Sequence, residues 1–318
     1  MTTNSCCADC GVERGASLKI CKPCMQVKYC NAACQRNHWA KHKTACKIRA
    51  AELRDEALFK EPPAKEDCPI CFLPMPSRLI CCVSLPPATI TSVPINDFAI
   101  ANNGVEGKNT ENYYPCCGKS VCKGCIHSFY ESGNTRKCPF CNSDRSSKTV
   151  EEEVEDLMKR VEANDAVSIC VLADSYYRGL NGVQLDRTNG MELFTKSAEL
   201  GYSKAHNHLA DIYHEGGDMK KAKFHIEASA MAGDEAARCN LGSLECNSGK
   251  MERAIKHWTI AASAGDSRAM NYLRLYFEQG HVSRESIDIA LTAYNKSCAE
   301  VRSEARDAYI SVIITETI

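Results

Sequence analysis

Cys30, Cys34, His42 and Cys46 stand in a C-x3-C-x7-H-x3-C string, and two C-x2-C pairs precede it, Cys7/Cys10 and Cys21/Cys24. Thiolate and imidazole are the donors that hold zinc tetrahedrally, and a C-x2-C pair sits on a tight knuckle that turns both sulfurs to one ion. Eight such donors fall within residues 7–46, enough for two ions, filled either in chain order or by interleaving. A segment this short buries little apolar surface, so bound metal must supply most of its folding free energy. Cys7, not Cys6, has the x2 spacing to Cys10, and His42, not His38, has the x3 spacing to Cys46. His38 is therefore expected as a solvated surface residue.

A second run of cysteines follows: CPIC at 68–71, CCGKSVCKGC at 116–125 and CPFC at 138–141. It again supplies four donor pairs, so four ions are expected in all. Eighteen of the 22 cysteines precede residue 142; Cys170, Cys239, Cys246 and Cys298 are scattered and read as small buried hydrophobes.

Residues 7–46 resemble a MYND zinc finger, on the C-x2-C pairs, Tyr29-Cys30-x3-Cys34-Gln35, Trp39-x2-His42-Lys43 and the final Cys46. The resemblance implies interleaved sites. Cys7, Cys10, Cys30 and Cys34 would hold one zinc, and Cys21, Cys24, His42 and Cys46 the other. It also implies that short proline-containing peptides bind in a shallow groove to which Gln35 and Trp39 contribute. An indole offers a large apolar face for a proline ring.

Residues 68–141 resemble a RING finger, on C-P-I-C, C-x2-C and C-P-F-C. The implied cross-brace puts Cys68, Cys71, Cys122 and Cys125 on one ion, and Cys117, Cys138 and Cys141 on the other with one more ligand. Where the family has C-x-H, this chain reads Cys117-Gly118-Lys119. An ammonium cannot ligate, so Cys116 is the expected substitute, with Gly118 letting the backbone turn sharply. Cys81 and Cys82, in an apolar strand-like run, and His127, in a helix after Cys125, are rival donors. Residues 72–115 form a long insertion, read as a strand around 90–100 and an Asn/Gly-rich tip near 102–109. By the same resemblance, Ile70, Phe129 and Pro139 match positions that grip a ubiquitin-conjugating enzyme. Asn142 stands where many ligases place Arg or Lys.

The bulk numbers bound the rest. The 318 residues suggest two or three domains, and 44% hydrophobic content is adequate for globular folding. A net charge of −1 gives no global field toward nucleic acid or membrane. Residues 1–50 keep only a modest basic balance once thiolates are counted, without the aromatic-interleaved stripe of a single-strand binder, so nucleic acid is not an expected partner. No stretch nears the roughly 20 apolar residues that span a bilayer. The start MTTNSCCADC does not read as a secretory signal. Cysteines in C-x2-C pairs then indicate metal in a reducing compartment, cytoplasm or nucleus.

The elements that carry these donors change after residue 145. Thr149 and Glu152 form a capping-box pattern opening a connecting helix over 149–163. Gly201, Gly233 and Gly265 lie 32 apart, as do Ala205, Ala237 and Ala269, and Leu209, Leu241 and Leu273. An earlier copy, Leu172-Ala173, lies 37 residues before Leu209-Ala210, its extra length fitting the loop RGLNGVQLDR. A fixed period of this size signals stacked helix pairs, each unable to bury its apolar face alone. These units resemble Sel-one-like repeats, relatives of tetratricopeptide repeats, on Leu209, Tyr213, Ala228, Ala230, Gly233, Tyr276 and Gly280. The expected architecture is multidomain: two small zinc-stabilised fingers followed by an all-α solenoid of helix-turn-helix repeats. Its boundaries are 7–46 (MYND), 47–67 (linker), 68–141 (RING-like), 149–163 (connecting helix), 164–300 (solenoid) and 301–318 (tail). No nucleophile–base pair or phosphate loop stands out. The expected function is a zinc-binding protein-interaction adaptor or scaffold, the alternative a RING-type ubiquitin-protein ligase whose MYND finger and repeats recruit substrate.

Overall fold

The structure is a computed structural model, and it describes residues 6–12, 18–76 and 110–317. The chain divides into two compact units, Met1–Lys60 and Glu61–Ile318.

In the first unit, β1 (Lys19–Ile20) pairs antiparallel with β2 (Lys28–Tyr29), and a long helix α1 (Ala32–Leu58) follows. The Asn31 side chain caps α1 by accepting the Cys34 N–H at 3.0 Å. The buried cluster is Cys7, Cys21, Cys24, Tyr29 and Cys46, a core made mostly of sulfur. Helix α1 runs on through the first part of the stretch read as linker. The reason is local: residues 47–58 are rich in Ala, Leu, Glu and Arg, all strong helix formers. Arg49 also pairs with Glu52 at 3.0 Å and Glu56 at 2.9 Å along one face.

The second unit opens with residues 61–76, then a hairpin of β3 (Glu111–Tyr114) and β4 (Lys119–Cys122) in the register Glu111↔Cys122 to Tyr114↔Lys119. Helix α2 (Lys123–Glu131) follows directly. The expected strand and tip of the insertion, and Cys81 and Cys82, lie outside the described residues. Helix α3 (Val150–Glu162) opens on its capping box: Thr149 Oγ1 accepts the Glu152 N–H at 3.3 Å, and Glu152 Oε2 accepts the Thr149 N–H at 2.9 Å.

Paired helices come next: α4 (Ala166–Arg178) with α5 (Arg187–Glu199), α6 (Ser203–Glu215) with α7 (Met219–Met231), α8 (Glu235–Asn247) with α9 (Met251–Ser263), and α10 (Ser267–Glu278) with α11 (Arg284–Glu300). Each pair stacks on the next through α5–α6, α7–α8 and α9–α10. The joints repeat. Gly201, Gly233 and Gly265 have φ of 89°, 97° and 99°, and the N–H after each bonds five residues back (Asp234 to Ser229, Asp266 to Ala261). This is the left-handed helix ending that glycine supplies without a Cβ penalty. Asn164, φ 56°, holds the same place before α4.

Ala205, Ala237, Ala269, Leu209, Leu241 and Leu273 are all buried along the seams. In the third pair the seam changes character. Trp258 is buried and stacks on both Tyr272 and Tyr276, ring centroids 4.9 and 5.1 Å away. Gly242 faces it, and a Cβ there would lie 2.5 Å from the indole nitrogen.

The stretch read as a tail carries α12 (Glu304–Thr317), which packs on α2 of the RING-like segment. The segment before CPIC is also tied down. Pro63 packs against Gly233, and Lys65 bonds the Ala264 carbonyl at 2.8 Å and Glu235 at 2.6 Å. Among the described residues no helix is long and apolar enough to cross a membrane.

Candidate metal centres

Four of the five C-x2-C knuckles are built the same way. In Cys7-x2-Cys10, Cys21-x2-Cys24, Cys68-x2-Cys71 and Cys138-x2-Cys141, the residue after the second cysteine is left-handed: Gly11 (φ 69°), Met25 (54°), Phe72 (54°) and Asn142 (58°). Its N–H returns to the first cysteine's carbonyl at 2.8–3.0 Å. That closed turn throws both Sγ atoms to one side. Cys122 and Cys125 use a different device, the start of α2, with Cys122 at the cap. Cys30 and Cys34 sit at the start of α1, and His42 and Cys46, one turn apart further along, reach the neighbouring set.

Four groups of donors converge, each with its ligand atoms within 4.8 Å of one another: Cys7, Cys10, Cys30 and Cys34; Cys21, Cys24, His42 and Cys46; Cys68, Cys71, Cys122 and Cys125; Cys116, Cys117, Cys138 and Cys141. Separations within the sets are 3.2 Å (Cys10–Cys30), 3.8 Å (Cys30–Cys34), 3.7 Å (Cys21–Cys46), 3.9 Å (Cys68–Cys125 and Cys71–Cys122), 3.8 Å (Cys117–Cys138) and 3.6 Å (Cys116–Cys141). A disulfide needs about 2.05 Å. A tetrahedron of sulfurs about 2.3 Å from zinc has edges of about 3.8 Å. The spacing therefore fits zinc and not oxidised bridges, and none of the described cysteines forms a disulfide.

Three of the sets offer four thiolates and one offers three thiolates with an imidazole. Four protein donors close a tetrahedral ion's shell and leave no position for water or substrate, which is the structural class of zinc site. Zinc here would fix the fold and perform no chemistry on a bound molecule.

The interleaving is now geometric: donors from the first and third pairs meet, as do those from the second and fourth. Cys116 joins Cys117, and Gly118, φ 67°, completes the turn between β3 and β4 that lets adjacent cysteines face one point. His127 lies apart from the set, its ring 5.8 Å from Tyr309. Cys6 likewise stands outside the MYND sets.

His38 differs from its expected solvated role. It is half-buried, its Nδ1 lies 3.0 Å from the Tyr29 hydroxyl, and its ring stacks on His42 at 5.8 Å. His42 turns Nε2 toward the sulfurs, 3.2 Å from Cys24. Burial, and then the nearby His38, lower the His42 pKa and favour the neutral ring that binds metal. Trp39 is 39% exposed, with its ring edge-on to His42 at 6.4 Å, and Gln35 is half-buried one turn before it on α1.

In the RING-like segment Ile70 is 36% exposed, while Phe129 and Pro139 are half-buried. Arg145, the cation nearest after Asn142, is committed elsewhere: it pairs with Glu153 at 2.5 Å and lies over the Tyr114 ring at 5.2 Å. The segment is bound into the helices around it. Arg160 of α3 donates to the Pro115 and Cys116 carbonyls at 3.0 and 3.1 Å. The Tyr113 hydroxyl donates to Asp165 at 2.6 Å, and Asp165 also caps α4. Burial, reinforced by the Asp165 carboxylate, raises the Tyr113 pKa and keeps it a neutral donor. Spacing gives no sign of Arg160; Tyr29 enters the sequence reading only through the MYND resemblance, His38 only as a rival to His42, and Arg145 only as the next cation after Asn142.

Comparison with known proteins finds a family match in the first half and structural likenesses in the second. A MYND finger occupies residues 7–46. The chain is similar to the crystal structure of a Sel1 repeat protein from Oxalobacter formigenes, at 24% identity and a TM-score of 0.40, covering 57% of this chain and 73% of that one. It is also similar to c5321, a protective antigen of uropathogenic Escherichia coli strains with an SLR fold, at 22% identity and a TM-score of 0.36 over 54% of this chain and 42% of that one. A third likeness is immunity protein Pa5087 from Pseudomonas aeruginosa, at 18% identity and a TM-score of 0.35, covering 60% and 81%. The chain thus combines Cys/His zinc-finger clusters, one of them RING-like, with a helical array resembling Sel1 repeats.

Proposed function

We propose that this protein is a zinc-built interaction adaptor that holds four zinc ions. Its MYND finger captures short proline-containing peptides, and its helical array docks further partners. The observation that supports peptide capture is Trp39. Its indole is anchored edge-on to the ligand His42, yet 39% of the residue faces solvent. A rigid aromatic face in the open costs little conformational entropy on binding and offers a wall for a proline ring. Gln35, four residues earlier on the same helix face, supplies a polar handle beside it.

The test is an array of short peptides, each with a central proline, probed with the zinc-loaded full chain and with Trp39→Ala. The variant should retain its zinc and lose at least about tenfold in affinity, the scale of a truncated aromatic hot spot. If no proline-containing peptide binds, or Trp39→Ala binds as well as wild type, the reading fails.

A second reading, a ubiquitin-protein ligase that engages a conjugating enzyme through Ile70, Phe129 and Pro139, draws support from exposed apolar knuckle residues: Ile70, Phe72 (76% exposed) and Phe140 (45%). The commitment of Arg145 to Glu153 weighs against it, because the first cation after the last knuckle is then taken up in an ion pair. An autoubiquitination assay comparing wild type with Ile70→Ala separates the two readings.

A further inference from the structure

Arg306, near the start of α12, is 5% exposed, and its guanidinium points into the Cys68, Cys71, Cys122 and Cys125 set. A guanidinium carries five N–H donors, and burying it is costly unless each finds an acceptor. Here all five do. Nε donates to Cys122 Sγ at 3.4 Å. One terminal nitrogen donates to the Pro74 carbonyl at 2.9 Å and the Val301 carbonyl at 2.7 Å. The other donates to Cys71 Sγ at 3.4 Å and the Leu73 carbonyl at 3.3 Å. Two of these acceptors are metal-facing sulfurs, and two more are carbonyls of the chain leaving the same knuckle.

The helix behind the arginine has almost no clearance. A Cβ on Gly124 of α2 would lie 2.7 Å from the Arg306 backbone nitrogen and Cα. Only a glycine lets α12 come this close. The other RING-like set is served differently: Arg160 bonds backbone carbonyls there, not sulfur.

We propose that Arg306 is a positioning residue for zinc in the first RING-like set, so that the C-terminal helix forms part of the metal's outer shell. Four thiolates around a divalent ion leave a net negative charge in a buried place. A guanidinium donating to two of those thiolates offsets that charge and fixes their rotamers, as outer-shell partners do at metal sites generally. It also reaches across the chain. Arg306 and Cys71 are 235 residues apart, so metal retention and docking of the C-terminal helix are one event. Lysine cannot replace it, since an ammonium is a point charge without the fork that reaches both sulfurs and the carbonyls.

The inference rests on the reading that this set holds zinc, and the experiment separates the two. Zinc content of the purified full-length protein is measured first; a wild-type chain without metal overturns the zinc reading itself. The zinc-loaded chain is then treated with a thiol-alkylating reagent, and the labelling rate of each cysteine is followed by peptide mass spectrometry for wild type, Arg306→Ala, Arg306→Lys and Gly124→Ala. In Arg306→Ala, Cys71 and Cys122 should label about tenfold faster or more, the usual scale for a lost outer-shell partner. Cys117, Cys138 and the MYND ligands should keep their wild-type rates. Arg306→Lys should show a smaller acceleration at the same two cysteines, and Gly124→Ala should reproduce it by pushing α12 away. Wild-type rates at Cys71 and Cys122 in folded Arg306→Ala overturn the proposal. So does an equal acceleration at every ligand, which would mean a general loosening. If Arg306→Ala does not fold, Arg306→Lys decides by the same criterion.

Discussion

At the scale of the residue, four of the metal knuckles share one backbone feature: a left-handed residue directly after the C-x2-C pair. Glycine fills it once, at Gly11, and Met25, Phe72 and Asn142 fill the others. For an L-residue that conformation costs roughly 1–2 kcal/mol, less than a knuckle gains by pointing two thiolates at zinc. Asparagine tolerates it best. Asn142 therefore has a backbone reason to be where a ligase would carry Arg or Lys. Gly11 has no atom within 4 Å of where a Cβ would go, so substitution there isolates the backbone term. Gly11→Val should weaken zinc binding to the MYND finger by about tenfold, equivalent to about 1.4 kcal/mol, in competition against a chromophoric chelator. Unchanged competition would show that the knuckle does not need this conformation.

At the scale of the element, the helical array shows how a repeat absorbs an exception. The seam position that is Ala173 in the first pair and Ala210 in the second becomes Gly242 in the third, where α9 carries Trp258. A bulky residue on one helix demands a missing side chain on its neighbour, because interiors are packed without slack. Gly242→Ala should overpack the seam and cost about 1–3 kcal/mol, and Trp258→Ala should leave a cavity costing about 3–5 kcal/mol. The double variant should be clearly less destabilised than the two effects added, since the alanine methyl then enters space vacated by the indole. Urea unfolding followed by far-UV circular dichroism measures this, and strict additivity would show that the two residues do not meet. The period of 32 was readable in advance because glycine, alanine and leucine recur at fixed places. The glycine–tryptophan exchange was not, because it is a contact between two helices and leaves no mark in either one alone.

At the scale of the whole molecule, the two units depend on metal to different degrees. The buried cluster of Met1–Lys60 is four cysteines and one tyrosine, with little apolar surface to hold it without an ion. In Glu61–Ile318 the helices bury their own seams of alanine, leucine and aromatic residues. A strong chelator should therefore make residues 1–46 and the knuckles at 68–71 and 138–141 sensitive to protease, while a fragment near 165–300 survives and most helical signal remains. Limited proteolysis with mass-spectrometric identification of the cuts checks this. Protection of the cysteine-rich segments after complete removal of metal would show that zinc is not what folds them.

The donor pairs of both fingers, the capping box of α3 and the repeat frame of the solenoid could be read from the chain directly, whereas the interleaving of those pairs into sets came only from what the MYND and RING resemblances implied. Knuckles, caps and helical periods are local, and their residues stand a few positions apart. The roles of Arg306 on a metal set 235 residues away, of Arg160 on the Cys116 carbonyl, of His38 behind His42 and of the last helix as part of the RING-like segment belong to the tertiary structure alone. Each joins groups distant in sequence or turned toward one another only by folding. An arginine near the start of a helix has no local feature to distinguish a partner in water from a pair of buried thiolates.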